Sequence, residues 1–153
     1  MYKPLLKITA LLSFFILSFS AIAASNTVTV FQCANKNHKM VNVSLSGGIY
    51  IYRFGKTNQQ PDIELQRSPE QLSHRFNNIS AAETDTGKAQ IRELNFKNGD
   101  FIYSVTSSEL GTKYVASVDV YKKDKLLTSI KCQPDTIVDH LSDYIFDLPE
   151  VDS

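Results

Sequence analysis

The chain has 153 residues, with 16 basic and 16 acidic side chains, which is enough for one domain with a modest core. A balanced charge argues against a general nucleic-acid-binding protein, which needs a basic surface. Its three histidines stand in different segments without the spacing of metal ligands, so we predict neither a metal site nor a cofactor.

The first 23 residues have the features of a secretory signal peptide. Lys3 and Lys7 precede an apolar run over residues 8–22, and Ala21-Ile22-Ala23 fits the small-x-small cleavage pattern. The alternative is a retained anchor, but this run is shorter than the roughly 20 residues of a membrane-spanning helix. We therefore predict a signal peptide over residues 1–23 and one β-rich domain over 24–153. Removing the signal leaves 14 basic against 16 acidic residues, a net charge of −2.

Apolar and polar residues alternate through the first half of the domain, a pattern that predicts half-buried strands. The strands expected here cover residues 27–31, 39–45, 49–54 and 63–66. Gly47-Gly48 supplies the tight hairpin turn between the second and third of them. Ser68-Pro69 can begin a helical turn, so we expect one turn of helix or a ragged strand there, followed by an exposed loop at 81–88.

The third predicted strand has two distinct faces. One carries Ile49, Ile51 and Arg53, and the other carries Tyr50, Tyr52 and Phe54. Either face can be the core. If the isoleucines point inward, the exposed set that could bind a partner is Tyr50, Tyr52, Arg53 and Lys56, since tyrosines are enriched at interfaces.

The second half repeats the strand pattern. Strands are expected over residues 89–96, 100–106, 113–121 and 126–132, with a loop at 107–111. Asn98-Gly99 is a strong hairpin signal, and residues 122–125 form a charged turn. Because turn signals recur about every ten residues, we predict an all-β fold. The expected form is an antiparallel barrel or sandwich of about seven or eight strands with a short C-terminal helix.

Cys33 and Cys132 are the two cysteines of the chain, and both lie after the predicted cleavage site. In an exported protein two cysteines usually pair, so we predict a structural disulfide. The alternatives are a redox pair, which normally has the CxxC spacing, and a pair of metal ligands, which would need clustered histidines.

The end of the chain is acidic. Pro134 can open a helix in which Ile137, Val138 and Leu141 stand at helical spacing. Residues 135–152 contain six acids and no lysine or arginine. Asp139 and Asp143, four residues apart, are candidates for docking a basic protein, with association steered by charge. The alternative is a solvated helix face followed by a frayed tail.

Several short motifs resemble a group of small exported β-rich proteins of Gram-negative bacteria that has no assigned activity. They follow Cys33 in the order Tyr52-Arg53-Phe54-Gly55-Lys56, Ile63-Glu64-Leu65, Asn98-Gly99 with Tyr103-Ser104-Val105, and Ser129-Ile130-Lys131-Cys132. The resemblance implies a β-rich exported protein. A looser likeness is to periplasmic inhibitors of c-type lysozyme, which are small β-barrels with a disulfide. It rests on Ser46-Gly47-Gly48 beside Tyr50.

The motifs of common enzyme classes, GxSxG, SxxK and a phosphate-binding glycine loop, do not occur in the sequence, so we predict a protein that is not an enzyme. We expect a periplasmic or secreted protein that binds or inhibits another protein, such as a cell-wall hydrolase, lysozyme among them, or a toxin. One alternative is a barrel that carries a small ligand. Another is a hydrolase using scattered acids such as Glu64, Glu93 and Asp119.

Overall fold

Two antiparallel sheets form the part of the chain that the computed structural model describes, residues 26–80 and 87–151. The first-half strands are β1 (Thr27–Ala34), β2 (Lys39–Ser46), β3 (Ile49–Lys56), β4 (Ile63–Arg67) and β5 (Leu72–Ile79). The remaining strands are β6 (Ala89–Asn98), β7 (Phe101–Leu110), β8 (Lys113–Lys122), β9 (Lys125–Lys131) and β10 (Val138–Asp139). Short 3₁₀ turns cover Pro69–Gln71 and Pro134–Thr136, and the helix α1 covers Leu141–Tyr144. The predicted signal peptide and most of the predicted loop at 81–88 lie outside the described residues.

From β1 to β9 the strand order follows the chain, and β10 returns to the edge of β1. One sheet has the order β10-β1-β2-β3-β4, and the other has the order β5-β6-β7-β8-β9. Several of the described hairpin turns contain residues that accept the left-handed backbone of a tight turn. Gly47 and Gly48 have φ values of 56° and 80°, as the sequence predicts for the β2–β3 turn.

The all-β antiparallel prediction and the short C-terminal helix are confirmed, whereas a barrel is not formed, because the two sheets stay open. The described residues form ten strands instead of seven or eight. β10 is an addition, and β5, preceded by the turn at Pro69–Gln71, is the strand that the sequence left open as an alternative to a helical turn. Residues 107–110, expected in a loop, extend β7 to Leu110.

The sheets share one hydrophobic core. Phe31 and Tyr52 enter it from the first sheet, while Leu94 and Phe96 enter from the second, and all four side chains are fully buried. The Tyr52 ring packs against Phe96 with its centroid 5.5 Å away. Burying a side chain of this size stabilises a fold by about 1.5–3 kcal/mol.

The predicted disulfide between Cys33 and Cys132 is confirmed, and it joins the two sheets. Cys33 lies in β1, and Cys132 follows the last residue of β9. Beside the bond, the Gln133 amide donates to the Ala34 carbonyl at 2.8 Å. Backbone pairing and the covalent bond therefore hold this corner together.

The C-terminal segment, residues 134–151, is not the single helix that Pro134 and its spacing predict. Val138 and Asp139 pair with Gln32 and Phe31 of β1, so the backbone is extended there. The free edge of β1 offers backbone hydrogen-bond partners to these residues, whereas a short helix would leave its terminal backbone groups unpaired and hold like-charged aspartates on one face. A helix begins only at Leu141.

Candidate partner-binding surface

The tyrosine face of β3 is the core face. Tyr50 and Tyr52 are 4% and 0% exposed, while Ile49 and Arg53 on the opposite face are exposed. Tyr52 lies opposite Val43 in the β2–β3 pairing, and both side chains point inward. In this fold neither tyrosine ring reaches a partner, so the core alternative is the one the structure shows.

The two tyrosines differ in what their hydroxyls do. The Tyr50 hydroxyl donates to the Tyr144 carbonyl at 3.3 Å and so connects β3 to α1. The Tyr52 hydroxyl is buried without a hydrogen-bond partner among the described residues. Burial raises the pKa of Tyr52 far above its ordinary value of 10.0, and the nearby Tyr103 adds to the rise. Burial likewise raises the pKa of Tyr50, with a smaller contribution from Asp147.

Arg53 and Lys56, the other predicted residues of β3, remain at the surface. The Arg53 guanidinium pairs with the Glu64 carboxylate on β4 at 2.8 Å, and the Gln66 amide donates to the same carboxylate at 2.9 Å. The bond from Gln66 and then the one from Arg53 lower the pKa of Glu64. An ion pair this exposed contributes about 0–1 kcal/mol.

Asp139 is occupied by contacts within the fold. Its Oδ2 accepts a short hydrogen bond from the Tyr114 hydroxyl on β8, and its Oδ1 accepts the Leu141 amide at 2.8 Å. Burial, followed by the bond to Asp139, raises the pKa of Tyr114 well above its usual range. Asp139 therefore fixes the C-terminal segment to the second sheet.

Arg92 lies beside this pair and lines the same polar cavity of about 270 Å³, together with Ile137 and Ser142. Its side chain is only 11% exposed and pairs with Glu109 at 3.0 Å, and it also donates to Gln90 at 2.9 Å. Its Nε is buried without a partner among the described residues. This cluster was not found from the sequence. The available signal was the presence of polar side chains at positions that share the core face of their strands. These are Gln90 and Arg92 in β6, Glu109 in β7 and Tyr114 in β8.

The C-terminal segment is held firmly, unlike a frayed tail. Leu141, Ile145 and Leu148 are buried in the shared core. Further on, the His74 amide of β5 donates to the Pro149 carbonyl at 2.8 Å, and the Val151 amide donates to the His74 carbonyl at the same distance. Residues 149–151 therefore cover the edge of β5.

Most acids of this segment face solvent. Asp143 lies in α1, exposed, with a carboxylate oxygen 3.7 Å from the His140 ring. Asp147 and Glu150 are exposed further along, on either side of the buried Leu148. Phe146 stands between them and Asp143, is 54% exposed, and contacts Phe76 edge-on with ring centroids 5.3 Å apart. We call Asp143, Phe146, Asp147 and Glu150 the acidic rim.

The predicted binding residues do not form one surface. Arg53 and Lys56 lie on β3 in the first sheet, Asp139 is engaged with Tyr114, and Asp143 belongs to the acidic rim. The structure thus separates the basic and the acidic members of the predicted set.

Within residues 26–80 and 87–151, no three His, Cys, Asp or Glu side chains are grouped as metal ligands. No helix of the described part is long and apolar enough to cross a membrane. No family model, no curated protein and no solved structure matches the chain.

Proposed function

We propose that the protein is a non-enzymatic binding protein of the periplasm that recognises a basic protein through the acidic rim. The observation that carries the proposal is the anchoring of the C-terminal segment. Because Leu141, Ile145 and Leu148 are buried, the carboxylates between them are presented on a fixed backbone. A preorganised surface loses less conformational entropy on binding than a mobile tail does.

Charge supports a basic partner. Residues 133–151 include no lysine or arginine. Among their five acids, Asp139 accepts hydrogen bonds inside the fold, whereas the exposed Asp143 lies 3.7 Å from the ring of His140. A surface of one sign steers an oppositely charged protein toward it and raises the association rate. This attraction weakens as salt shortens the Debye length, about 10 Å at 0.1 M.

Phe146 supplies the apolar contact that charge alone does not. Aromatic residues are frequent among the few side chains that dominate an interface. Its edge-on contacts with Phe76 and His74, at centroid distances of 5.3 and 6.1 Å, restrict the ring before any partner arrives. An exposed, oriented ring among carboxylates suits a basic surface with an apolar patch.

The disulfide supports the compartment. Such bonds persist in oxidising compartments, in agreement with the signal peptide predicted over residues 1–23. Basic proteins that reach the periplasm include cell-wall hydrolases such as lysozyme and incoming toxins, and these are the partner classes we propose.

The test is a binding measurement with residues 24–153, oxidised and immobilised. The probes are a c-type lysozyme and a panel of basic peptidoglycan amidases, measured by biolayer interferometry at 50 and 200 mM salt. We expect at least one probe to bind with a micromolar or lower Kd that weakens with salt. The double variant Asp143→Asn/Asp147→Asn should weaken this binding at least tenfold, and so should Phe146→Ala.

The matched control removes two carboxylates from hairpin turns of the second sheet, in the double variant Asp100→Asn/Asp124→Asn. This control changes the net charge equally and should alter the Kd less than twofold. If both double variants weakened binding equally, net charge alone would account for the effect, and a specific site would be excluded. Failure of every probe to bind more tightly than 100 μM would exclude the proposal as a whole.

The alternative of a small-ligand carrier has no observation in its favour. A carrier needs a cavity between its sheets. In the described part of the chain that space holds Phe31, Tyr52 and Phe96, all fully buried.

A further inference from the structure

The two edge strands of the second sheet differ in whether another segment of the chain covers them. At one edge, residues 149–151 pair with β5 through both backbone groups of His74. At the other edge, β9 pairs with β8, and six of its seven residues are exposed. Natural proteins usually cover or shorten such an edge, because it offers unpaired N–H and C=O groups to other chains.

The direction of the unpaired groups follows from one hydrogen bond. The Cys132 amide donates to the Ala116 carbonyl of β8 at 3.0 Å. Backbone groups of successive residues in an antiparallel strand point to opposite sides. The backbone N–H and C=O groups of Ile130 therefore also face β8, while those of Ser129 and Lys131 point away from β8. Gln133 obeys the same alternation, since its amide points away from β8 to the Ala34 carbonyl.

These outward groups open into a groove of about 670 Å³ between β9 and the turn after β1. The groove is lined by residues 128–134 and by Asn35, Lys36 and Asn37. Its lining contains two lysines, Lys36 and Lys131, and no acid. Leu126 and Leu127, both 50% exposed, continue the strand beyond the groove.

We propose that this groove binds an extended, acidic polypeptide segment, which adds to the second sheet as a strand beside β9. The backbone of the segment would pair with Ser129, and its carboxylates would lie near Lys36 and Lys131. Beyond Lys131 the edge is already covered, because Asn35 forms an antiparallel bridge with Cys132 and the Gln133 amide donates to the Ala34 carbonyl. Strand addition of this kind draws affinity from main-chain hydrogen bonds and specificity from alternate side chains. The same sheet already accepts an added extended segment at β5, where the backbone of His74 makes both hydrogen bonds.

A second copy of the chain is a poorer occupant. Antiparallel pairing of β9 with itself, centred on Thr128, places Lys125 opposite Lys131 of the other copy at both ends. Like charges directly opposite one another destabilise a strand pair. A partner segment with acids at alternate positions has the complementary charge.

The experiment removes a single outward N–H. Ser129→Pro deletes the amide that faces the groove while leaving the bonds between β8 and β9, because proline is tolerated on an edge strand where its nitrogen faces outward. Ser129→Ala keeps the amide and is the matched control. The probe is a fluorescein-labelled, end-blocked hexapeptide of alternating Asp and Val, measured by fluorescence anisotropy. A Lys–Val hexapeptide is the charge-reversed control.

We expect saturable binding of the Asp–Val peptide, at least tenfold weaker for Ser129→Pro and changed less than twofold for Ser129→Ala. The Lys–Val peptide should bind at least tenfold more weakly. Amide hydrogen exchange at Ser129 should slow when the Asp–Val peptide is present. The Asp143→Asn/Asp147→Asn variant should bind the peptide normally, which separates this site from the acidic rim.

Absence of binding at 1 mM peptide would overturn the proposal, as would equal affinity for Ser129→Pro and Ser129→Ala. If sedimentation instead shows a dimer that Ser129→Pro dissociates, a second copy is the occupant and the proposal is wrong.

Discussion

Tyr50 and Tyr52 show how neighbouring side chains of one type can have opposite energetic effects. Both rings are buried on the inner face of β3, but only the Tyr50 hydroxyl has a hydrogen-bond acceptor. A buried polar group without a partner costs about 1–3 kcal/mol, whereas a satisfied one contributes about 0.5–1.5 kcal/mol. The ring of Tyr52 stabilises the core, whereas its unpaired hydroxyl destabilises the fold.

Tyr52→Phe is therefore expected to raise the free energy of unfolding by about 1 kcal/mol at pH 7, because it removes the unpaired hydroxyl and leaves the ring. Tyr50→Phe is the matched control and should lower it by about 0.5–1 kcal/mol. Urea unfolding of both variants checks this. A lower stability for Tyr52→Phe would show that its hydroxyl has a partner in solution.

The same variant has a signature in alkaline solution. Since the folded pKa of Tyr52 lies above the unfolded value of 10.0, the unfolded chain loses its proton first. The contribution of Tyr52 to the free energy of unfolding is therefore fully present below pH 10 and declines as the pH rises above 10. The original chain should thus lose more stability between pH 9 and 11 than Tyr52→Phe does, although Tyr50 and Tyr114 leave a residual slope in both. Superimposable pH profiles would contradict this assignment.

Sequence periodicity determines neither which face of a strand is buried nor which residues of different strands meet. The alternation in β3 predicts two faces, but both carry large side chains, so the pattern does not say which one is buried. Tyrosine suits either place because its ring is apolar and its tip is polar. Contacts such as Arg92 with Glu109 join residues of different strands, and their proximity depends on a register that short motifs do not specify.

Among the elements, eight strands were predictable because each has clear alternation or a hairpin signal at its end. β5 was predicted only as an alternative to a helical turn, since His74 occupies an inward position where an apolar residue would complete the pattern. That histidine is buried there because the chain end pairs with its backbone groups. β10 was missed for a related reason. Its two residues are extended only because β1 offers a free edge, which is a tertiary effect.

The anchoring of the C-terminal segment has a direct test. Ile145→Ala should cost about 2–4 kcal/mol, because it leaves a cavity where a fully buried side chain packs against both sheets. The adjacent Phe146→Ala should cost less than about 1 kcal/mol, since that ring is half exposed. Chemical denaturation of the two variants makes the comparison. Equal losses would mean that the segment is not seated in the core as described.

For the whole molecule, chain order and spatial order coincide from β1 to β9, so the sheets run as one meander folded around a core, whereas β10 returns to pair with β1. The fold opens at two seams, between β4 and β5 and between β9 and β10. Arg67 spans the first seam by donating to the Lys97 carbonyl at 2.9 and 3.0 Å. Barrel and sandwich were indistinguishable from sequence, because hairpin spacing is the same in both and only pairing across the seams differs.

The disulfide lies at the second seam, where it joins β1 to the end of β9, and it should make a large contribution to stability. Its cysteines are 99 positions apart, and a loop of that length is worth up to about 4.7 kcal/mol in the chain-entropy model. We expect the Cys33→Ala/Cys132→Ala variant to lose about 2–5 kcal/mol and to show a larger urea m-value, because its unfolded state is less compact. Urea titrations of the variant and of the oxidised chain measure both quantities. A loss below 1 kcal/mol would show that backbone pairing alone maintains the seam.

The placement of the two sulfur atoms also bears on how the protein matures. If the chain crosses a membrane N-terminus first, as the signal peptide predicts, the thiol of Cys33 emerges early and waits for Cys132, which follows 99 positions later. With two cysteines in all, only one intramolecular linkage can form, so an oxidant is required once and an isomerase has nothing to correct. A chain interrupted before Cys132 would keep a reactive thiol, a chemical mark by which an envelope could recognise incomplete copies.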